Sequence, residues 1–360
     1  MDTLETIRKE IDETDRRIAA LFCRRMRAVE KVAAYKGERG LPVLDSAREE
    51  EVLRRNCARV EDPELRSCYA IFQRHVMEIS RAYQQKILSG ARVAYCGVQG
   101  AFASIAARRL FPDSVYVTYG DFTGAYEAVV NGECDHAVLP LENSFAGDVG
   151  TVCDLLFSGP LYINRVLNLP VVHHLMAPKG ATIEGIRKVI SHPQALSQCA
   201  PYIRAHGFAE EEYSNTALAA KYVAERNDPT LAAIGTEEAA TLYGLDILAS
   251  GINESDQNTT RFVSVSRVEC DAPRNEDDGF FLVFTVKNQA GALAKAINII
   301  GQYGFNMRGL HSRPMKNLVW QYYFYLEGEG NIRSEQGTRM LSELSGICDK
   351  LKLVGSYPLR

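Results

Sequence analysis

Near the start of the chain, apolar or small residues recur at Leu4, Ile7, Ile11, Thr14, Ile18, Leu21, Ala28, Val32 and Tyr35. Steps of three and four residues place them on one seam of a helix. The pattern predicts one helix of about 35 residues, roughly 50 Å long at 1.5 Å per residue. Pro42 marks its end, because proline lacks the backbone donor and clashes with the preceding turn. Ser46-x-x-Glu49 reads as a capping box opening a second helix. Asp62-Pro63 reads as an N-cap with proline at the first helical position, opening a third helix that runs to about Leu88.

Beyond Ser89-Gly90 the period changes to short apolar runs followed by helices. Ala91–Cys96 reads as a buried strand, and Gly97-x-x-Gly100 turns it into a helix ending near Leu110. Further strand-like runs are Val115–Val117, His136–Leu139, Lys188–Ile190 and Leu231–Ile234, so an α/β fold is expected. A long polar run, Ser255 to Arg261, passes into the alternating strand Phe262–Ser266, as a chain does that lines a cleft and returns to a sheet. The charged stretch Asp271–Gly279 reads as a linker. After it come a strand (280–286), a helix (292–303), two strands (307–313 and 318–326), a helix near 334–344 and a strand near 351–357. This β-α-β-β-α-β order predicts an α+β, ferredoxin-like fold. Three domains follow: an all-α three-helix domain at 1–90, an α/β domain at 91–270 and the small α+β domain at 279–360.

At 360 residues the chain is too long for one core. Its net charge of −4 gives no general attraction to nucleic acid or anionic membranes. No apolar run approaches the roughly 20 residues of a membrane span, and the acidic, amphipathic start is unlike a secretory signal. Nine cysteines occur without a C-x-x-C pair, which fits thiols in a reducing cytoplasm. His173 and His174 are adjacent and point apart, so no metal is expected. No G-x-G-x-x-G follows a strand, so no dinucleotide cofactor is expected either.

In the helical domain, Arg25 falls on the apolar seam, and Arg8 and Lys36 lie on the flanking row with Phe22 and Val29. Cations facing a packing surface need an anion to meet them. Arg48 and Glu49 occupy the first turn of the second helix, and Ser80 and Gln84 share a face of the third. The set Arg8, Arg25, Lys36, Asp45, Arg48, Glu49, Ser80 and Gln84 resembles the all-helical chorismate mutases. That resemblance implies a homodimer, or a higher homo-oligomer, in which two long helices are exchanged and Arg8 reaches the partner's site. Arg25, Arg48 and Arg8 would then hold the two carboxylates of chorismate, with Ser80 assisting. Asp45 and Glu49 would meet its hydroxyl, and Lys36 and Gln84 would donate to the ether oxygen as that bond breaks. A Claisen rearrangement requires only a folded conformer and donors aimed at developing charge.

In the α/β region three polar segments follow strand-like runs: Pro140–Ser144, Ser191–Gln194 with Gln198 on the ensuing helix, and Gly235–Glu238. Ligands of open α/β sheets bind beyond the carboxyl ends of strands, so these segments are expected to converge. Ser191 and His192 ahead of Pro193, and Asn215-Thr216 ahead of another helix, offer backbone N–H groups suited to a carboxylate. Taken singly, Ser191 and Thr236 read as N-caps, and Asn143 and Gln198 as groups satisfying buried backbone. Together Leu139–Ser144, Ser191–Gln194 and Thr259–Phe262 resemble the blocks of the prephenate dehydratases. The resemblance implies two lobes like a type II periplasmic binding protein, with Glu142, Asn143, Ser191, His192, Gln198, Thr216, Thr260 and Arg261 at a hinge cleft. Thr260 would donate to the departing hydroxyl and Glu142 would supply the proton. Ala101 and Ala103 stand where that family often carries Thr and Ser.

In the last domain Asn288–Leu293 resembles the Gly-Ala-Leu motif of ACT domains, and His311–Pro314 their Glu-Ser-Arg-Pro motif. The resemblance implies phenylalanine as an effector held by Asn288, Gly291, Ala292, Leu293, His311, Ser312 and Arg313, with His311 replacing the usual Glu. The sequence therefore reads as a bifunctional enzyme converting chorismate to prephenate and prephenate to phenylpyruvate. Its rivals are a monofunctional dehydratase whose helical arm only dimerises and a metabolite sensor without turnover.

Overall fold

The computed structural model describes residues 3–269, 278–315 and 321–359. Two compact units are present: Met1–Arg92 with Asp113–Val115, and Val93–Pro112 with Tyr116–Arg360.

The first unit is three helices, α1 (Leu4–Glu38), α2 (Ser46–Cys57) and α3 (Pro63–Ser89). Thr3 caps α1 by accepting from the Thr6 N–H, and Asp62 caps α3 by accepting from the Glu64 and Leu65 N–H groups. The first helix stops before Pro42: it ends at Glu38, and Gly40 turns the chain at φ +61°, a left-handed conformation that glycine adopts without strain. The N-cap of α2 is Asp45, whose Oδ1 accepts from the Arg48 N–H at 3.0 Å, and Ser46 is the first helical residue. The expected capping box does not form: with Asp45 as the cap, the third helical position is Arg48 and not Glu49.

Packing within this unit is thin. Ala33, Val76 and Met77 are buried together with the polar Gln73, Ser80 and Gln84. The predicted seam of α1 faces solvent instead: Leu4, Ile7, Ile11, Ile18 and Leu21 are 45–63% exposed, and Leu65, Ile71, Phe72 and Ile79 of α3 are exposed as well.

The second unit contains strands β1 (Arg92–Cys96), β2 (Val115–Tyr119), β3 (His136–Asn143), β4 (Gly147–Asp148), β5 (Tyr162–Pro170), β6 (His174–Ala177), β7 (Lys188–Ser191) and β8 (Ala209–Glu212). They are followed by β9 (Leu231–Gly235), β10 (Asp246–Ala249), β11 (Thr259–Ser266), β12 (Asp278–Val286), β13 (Asn306–Pro314), β14 (Tyr322–Glu329) and β15 (Cys348–Pro358). Helices α4 (Phe102–Leu110), α5 (Phe122–Val130), α6 (Gly150–Ser158), α7 (Pro193–Gln198), α8 (Ala200–His206), α9 (Thr216–Arg226), α10 (Glu237–Tyr243), α11 (Ala292–Gln302) and α12 (Glu335–Ser345) cover them. The larger sheet has the order β13-β14-β12-β15-β5-β11-β3-β1-β2, with β4 paired to β3, and the smaller has β10-β6-β9-β7-β8.

The chain leaves the larger sheet after β5 and returns to it at β11, so two segments cross between the sheets. They are bonded to each other: Val171 N–H donates to Asn258 O at 2.7 Å, and Ile252 N–H to His173 O at 2.9 Å. A cleft opens beside these crossings.

The carboxy-terminal segment has the β-α-β-β-α-β order read from the sequence, but its boundary with the α/β region is not a break in packing. Strand β15 pairs with β5 at Gly355 and Ile163, where a Cβ on residue 355 would collide with the Ile163 carbonyl. One core joins Leu139 and Val263 to Phe281, Tyr325 and Tyr357. Of the expected linker, 271–277 lie outside the described residues, whereas Asp278 and Gly279 already belong to β12; of the expected strand 318–326, residues 318–320 lie outside them. Phe281 is fully buried, stacked 5.3 Å from Tyr325 and 5.1 Å from Tyr357. Phe281→Ala is expected to destabilise by about 3–5 kcal/mol. Because the core is shared, urea unfolding should lower hydrogen-exchange protection at Val263 and Val354 together; loss at Val354 alone would show separate cores.

Candidate active site

In the helical unit the α1–α3 packing brings Arg25, Ser80 and Gln84 together. The Arg25 guanidinium donates to Ser80 Oγ, Ser80 Oγ donates to Val76 O at 2.6 Å, and Gln84 Nε2 donates to Ser80 O at 3.3 Å. The Gln84 Oε1 atom is buried without a partner among the described residues. Burial lowers the Arg25 pKa from its ordinary value. Lys36 reaches the Val43 carbonyl at 2.7 Å, and Glu49 is ion-paired with Arg81, a residue the sequence reading did not single out. Glu49 and Arg81 line a cavity of about 270 Å³ between α2 and α3.

Three other expected ligands stand apart from that cluster. Asp45 spends its carboxylate on the cap, and Arg48 is exposed and paired with Glu51 at 2.6 Å. Arg8 is exposed on α1, and the axial rise separates it from Arg25 by roughly 26 Å. A single chain cannot bring those two cations to one small molecule.

In the second unit a cavity of about 330 Å³ lies at the crossings, lined by Asn143, His173, His192, Gln198, Thr216 and Thr260 among others. Strands β3 and β11 run antiparallel with Thr260 opposite Asn143 and Arg261 opposite Glu142. Asn143 Nδ2 donates to Thr260 Oγ1 at 3.0 Å and to Asn258 Oδ1 at 2.9 Å, while Asn143 Oδ1 accepts from the Phe145 and Ala146 N–H groups. With Thr260 Oγ1 accepting from an amide, its own proton is free to point into the cavity.

Side chains alternate across a strand, so the residues next to this pair face the other way. Glu142 and Arg261 are 3.7 Å apart on the opposite face, where Arg261 also pairs with the buried Glu327 of β14 and reaches Asn168 Oδ1 at 3.2 Å. Burial works against the charge of Arg261, but Glu327, Tyr357, Tyr325 and Glu142 outweigh it and raise the pKa. The expectation that Glu142 and Arg261 line the cleft is therefore corrected. Ser191 is corrected too: it is fully buried and its Oγ donates to Ile234 O at 2.6 Å. The Gly235–Glu238 segment does not join the others at this cavity, and Thr236 Oγ1 donates to Gly100 O and caps α10.

His192 is the cap of α7, its Nδ1 accepting from Gln194 N–H at 3.3 Å, and Asn215 caps α9. Ala101 and Ala103 line the cavity without hydroxyls, and the neighbouring Ser104 is buried away from it. His173 is the cleft residue that the sequence reading passed over. It is 2% exposed, and its Nε2 is 3.0 Å from Gln198 Oε1. Burial lowers its pKa from the ordinary value, which favours the neutral ring. Its signal was the alternation in which Val171, His173 and Leu175 are inward while Val172 and His174 are not.

On the carboxy-terminal segment, Asn288 is exposed in the turn before α11, where Gly291 adopts φ +82° and Ala292 and Leu293 begin the helix. His311 Nδ1 lies 3.1 Å from Asp148 Oδ2, Arg313 Nε lies 3.4 Å from Asp154 Oδ1, and Ser312 faces the other way, exposed. Glu142, Asp148 and His311 bring possible ligand atoms within 4.8 Å of one another. Arg261, beside Glu142, already supplies positive charge there.

The family described as Prephenate dehydratase matches residues 93–270, and that described as Chorismate mutase type II matches residues 7–85. A bifunctional chorismate mutase/prephenate dehydratase of Enterobacter agglomerans is 31% identical over 371 aligned positions, covering 99% of this chain and 96% of that protein. A prephenate dehydratase of Arthrobacter aurescens, solved in complex with L-Phe, is 27% identical with a TM-score of 0.69, covering 74% of this chain and 89% of that one. A solved protein described as a quorum quenching acylase, GqqA, is 31% identical with a TM-score of 0.69, covering 75% of this chain and 98% of that one.

Arg261→Met would leave Glu327, which is 5% exposed, without its cation. The expected loss of stability is about 3–5 kcal/mol, seen as a lower urea midpoint at pH 7. An unchanged midpoint would show that Tyr357 and solvent suffice for Glu327.

Proposed function

Because the chain belongs to the bifunctional chorismate mutase/prephenate dehydratase family, we propose that its two sites are the Arg25–Ser80–Gln84 cluster of the helical unit and the Asn143–Thr260 cleft. The enzyme catalyses two consecutive steps, the rearrangement of chorismate and the decarboxylation and dehydration of prephenate.

In the dehydratase cleft the observation that carries the reading is the Asn143–Thr260 hydrogen bond. Prephenate loses its ring carboxylate as carbon dioxide, the electrons of that bond flow through the ring, and the ring hydroxyl leaves with one proton as water. Thr260, oriented by Asn143, donates to the departing oxygen, where charge develops. Gln198 and the Thr216 N–H at the start of α9 hold the side-chain carboxylate, with His192, whose own cap occupies the first N–H groups of α7, on the same wall. Glu142 faces away from this cavity and takes no part; the net proton comes from solvent. An acyl transfer of the kind named for GqqA requires a nucleophile beside a base. Here the Thr260 hydroxyl meets the Asn143 amide, which accepts no proton, so elimination is the better-supported chemistry.

In the helical unit Arg25, assisted by Ser80, binds a carboxylate of chorismate, while Gln84 and Lys36 donate to the ether oxygen. Glu49 meets the hydroxyl, and Arg48 and Asp45 lie at the edge of the site. Arg8 serves a second chain, and the exposed seam of α1 is the surface that pairs with it to form a homodimer. The two sheets of the second unit act as lobes of the periplasmic-binding kind, and residues 278–359 as an ACT domain. Phenylalanine is the effector, held by the Asn288–Leu293 turn and Ser312, with His311 and Arg313 exchanging their partners Asp148 and Asp154 for it. Eight free cysteines among the described residues fit a cytoplasmic enzyme.

The two activities should separate cleanly. Thr260→Val is expected to lower dehydratase kcat by about a hundredfold or more with mutase activity intact, and Arg25→Ala to do the reverse. Chorismate, prephenate and phenylpyruvate followed in one assay check this, and survival of the expected target activity in either variant would overturn that assignment. Ile11→Glu is expected to yield monomers in sedimentation that retain dehydratase but lose mutase activity. Monomers with full mutase activity would remove Arg8 from the partner's site.

A further inference from the structure

Among the polar groups of the cleft that the mechanism above leaves unused, His173 is the most deeply buried. His173 lies in the short crossing between β5 and β6, fixed by its own backbone: its N–H donates to Asn253 Oδ1 at 3.0 Å and its carbonyl accepts from Ile252 N–H at 2.9 Å. The ring is braced edge-on by Phe102, with centroids 5.7 Å apart at 82°. Its Nε2 is 3.0 Å from Gln198 Oε1, while its Nδ1 is buried and has no hydrogen-bond partner among the described residues. Gln198 is tied to the other crossing, its carbonyl accepting from Glu254 N–H at 2.9 Å.

With Gln198 Oε1 against the ring, Nε2 is the donor, because an amide oxygen only accepts, and in the neutral ring Nδ1 is bare. With Oε1 committed to the imidazole, the Gln198 NH₂ group is the end left for the cavity, and a carboxylate there meets donors. Were the amide free to turn over, half of its orientations would present an oxygen to the anion.

We infer that His173 is a positioning residue of the dehydratase: its Nε2–H locks the Gln198 side chain with the NH₂ group toward the substrate carboxylate. The inference rests on the cleft assignment made above and adds a residue to it. Because the contact serves binding of a group that does not react, its loss acts on KM more than on kcat.

The test is a double-mutant cycle on prephenate, with chorismate mutase activity and the melting temperature followed in the same samples. His173→Phe keeps a ring of similar shape and removes the donor. It is expected to raise KM roughly 10- to 100-fold, the range for a hydrogen bond to a charged group, with kcat within a few-fold. Gln198→Ala should do the same, and the double variant should be no worse than Gln198→Ala alone. His173→Gln, whose Nε2 reaches about as far as the imidazole Nε2, should restore most of the loss. In the unmutated enzyme, nitrogen NMR should show the His173 ring neutral with its proton on Nε2. A normal KM in His173→Phe, additive effects in the cycle, no rescue by glutamine, or an Nδ1–H or charged ring would each overturn the positioning role while leaving the cleft assignment standing. A normal KM and kcat in Gln198→Ala would overturn the cleft assignment itself, and this inference with it.

Discussion

Asn143 and Thr260 meet because β3 and β11 pair in one register, and the rest of the second unit is arranged about that pairing. In an antiparallel pair, a slip of one residue turns every side chain to the other face. Such a slip would carry Glu142 and Arg261 into the cleft and bury the amide and hydroxyl against β14. The register is held by the polar bonds from Asn143 to Asn258 and Thr259, and by Ser144, whose N–H donates to Thr259 O at 2.9 Å and whose Oγ accepts from Thr259 N–H at 3.0 Å. The polar run ahead of Phe262 thus serves the sheet before it serves a ligand.

The same pairing gives the two strands a second function on their other face. Arg261, one residue from Thr260, is ion-paired with Glu327, and Tyr357 donates to the same carboxylate. Glu142, one residue from Asn143, lies opposite Asp148, which in turn meets His311. The carboxy-terminal fold is therefore joined to the cleft by the thickness of a strand, and the continuous sheet through Gly355 makes that junction stiff. Packed interiors transmit small displacements because they have few voids to absorb them. A ligand competing for His311 or Arg313 would pull on Asp148 and Asp154, which belong to the hairpin after Asn143 and to the helix that follows it.

Much of this was legible in the sequence, for identifiable reasons. The long first helix followed from a period sustained over many turns, and the α/β and β-α-β-β-α-β orders followed from strand runs separated by breakers. Short elements such as β4, β8 and β10 left too few residues for a period to register. The polar blocks located the cleft but not the faces of its residues. The family resemblance placed Glu142 and Arg261 in it beside Asn143 and Thr260, although the two-residue period of a strand already forbids adjacent side chains from sharing a face. Ser191 was misplaced for another reason: a hydroxyl ahead of a helix suits a cap or a ligand, and only the neighbouring strand shows that Ile234 O claims it. His173 was missed because a pair of adjacent histidines prompts the question of metal, and hydrogen bonding to a distant glutamine leaves no trace in spacing.

The helical unit poses the opposite problem. In the cleft, one chain supplies donors on both walls; in the helices, one chain leaves Arg8 far from Arg25 and leaves an apolar seam in water. These two deficits have one remedy. Each exposed Leu or Ile of the seam gains roughly 1.5–3 kcal/mol when buried, so a second α1 covering it, as in the proposed homodimer, would be favoured over solvation. In the proposed homodimer, a partner helix laid antiparallel along the seam would set the partner's amino-terminal turns against the carboxy-terminal half of this one, the half that carries Arg25. Such a pairing would account for the length of α1. A helix half as long would leave the terminal arginine of the proposed partner short of the proposed site around Ser80 and Gln84.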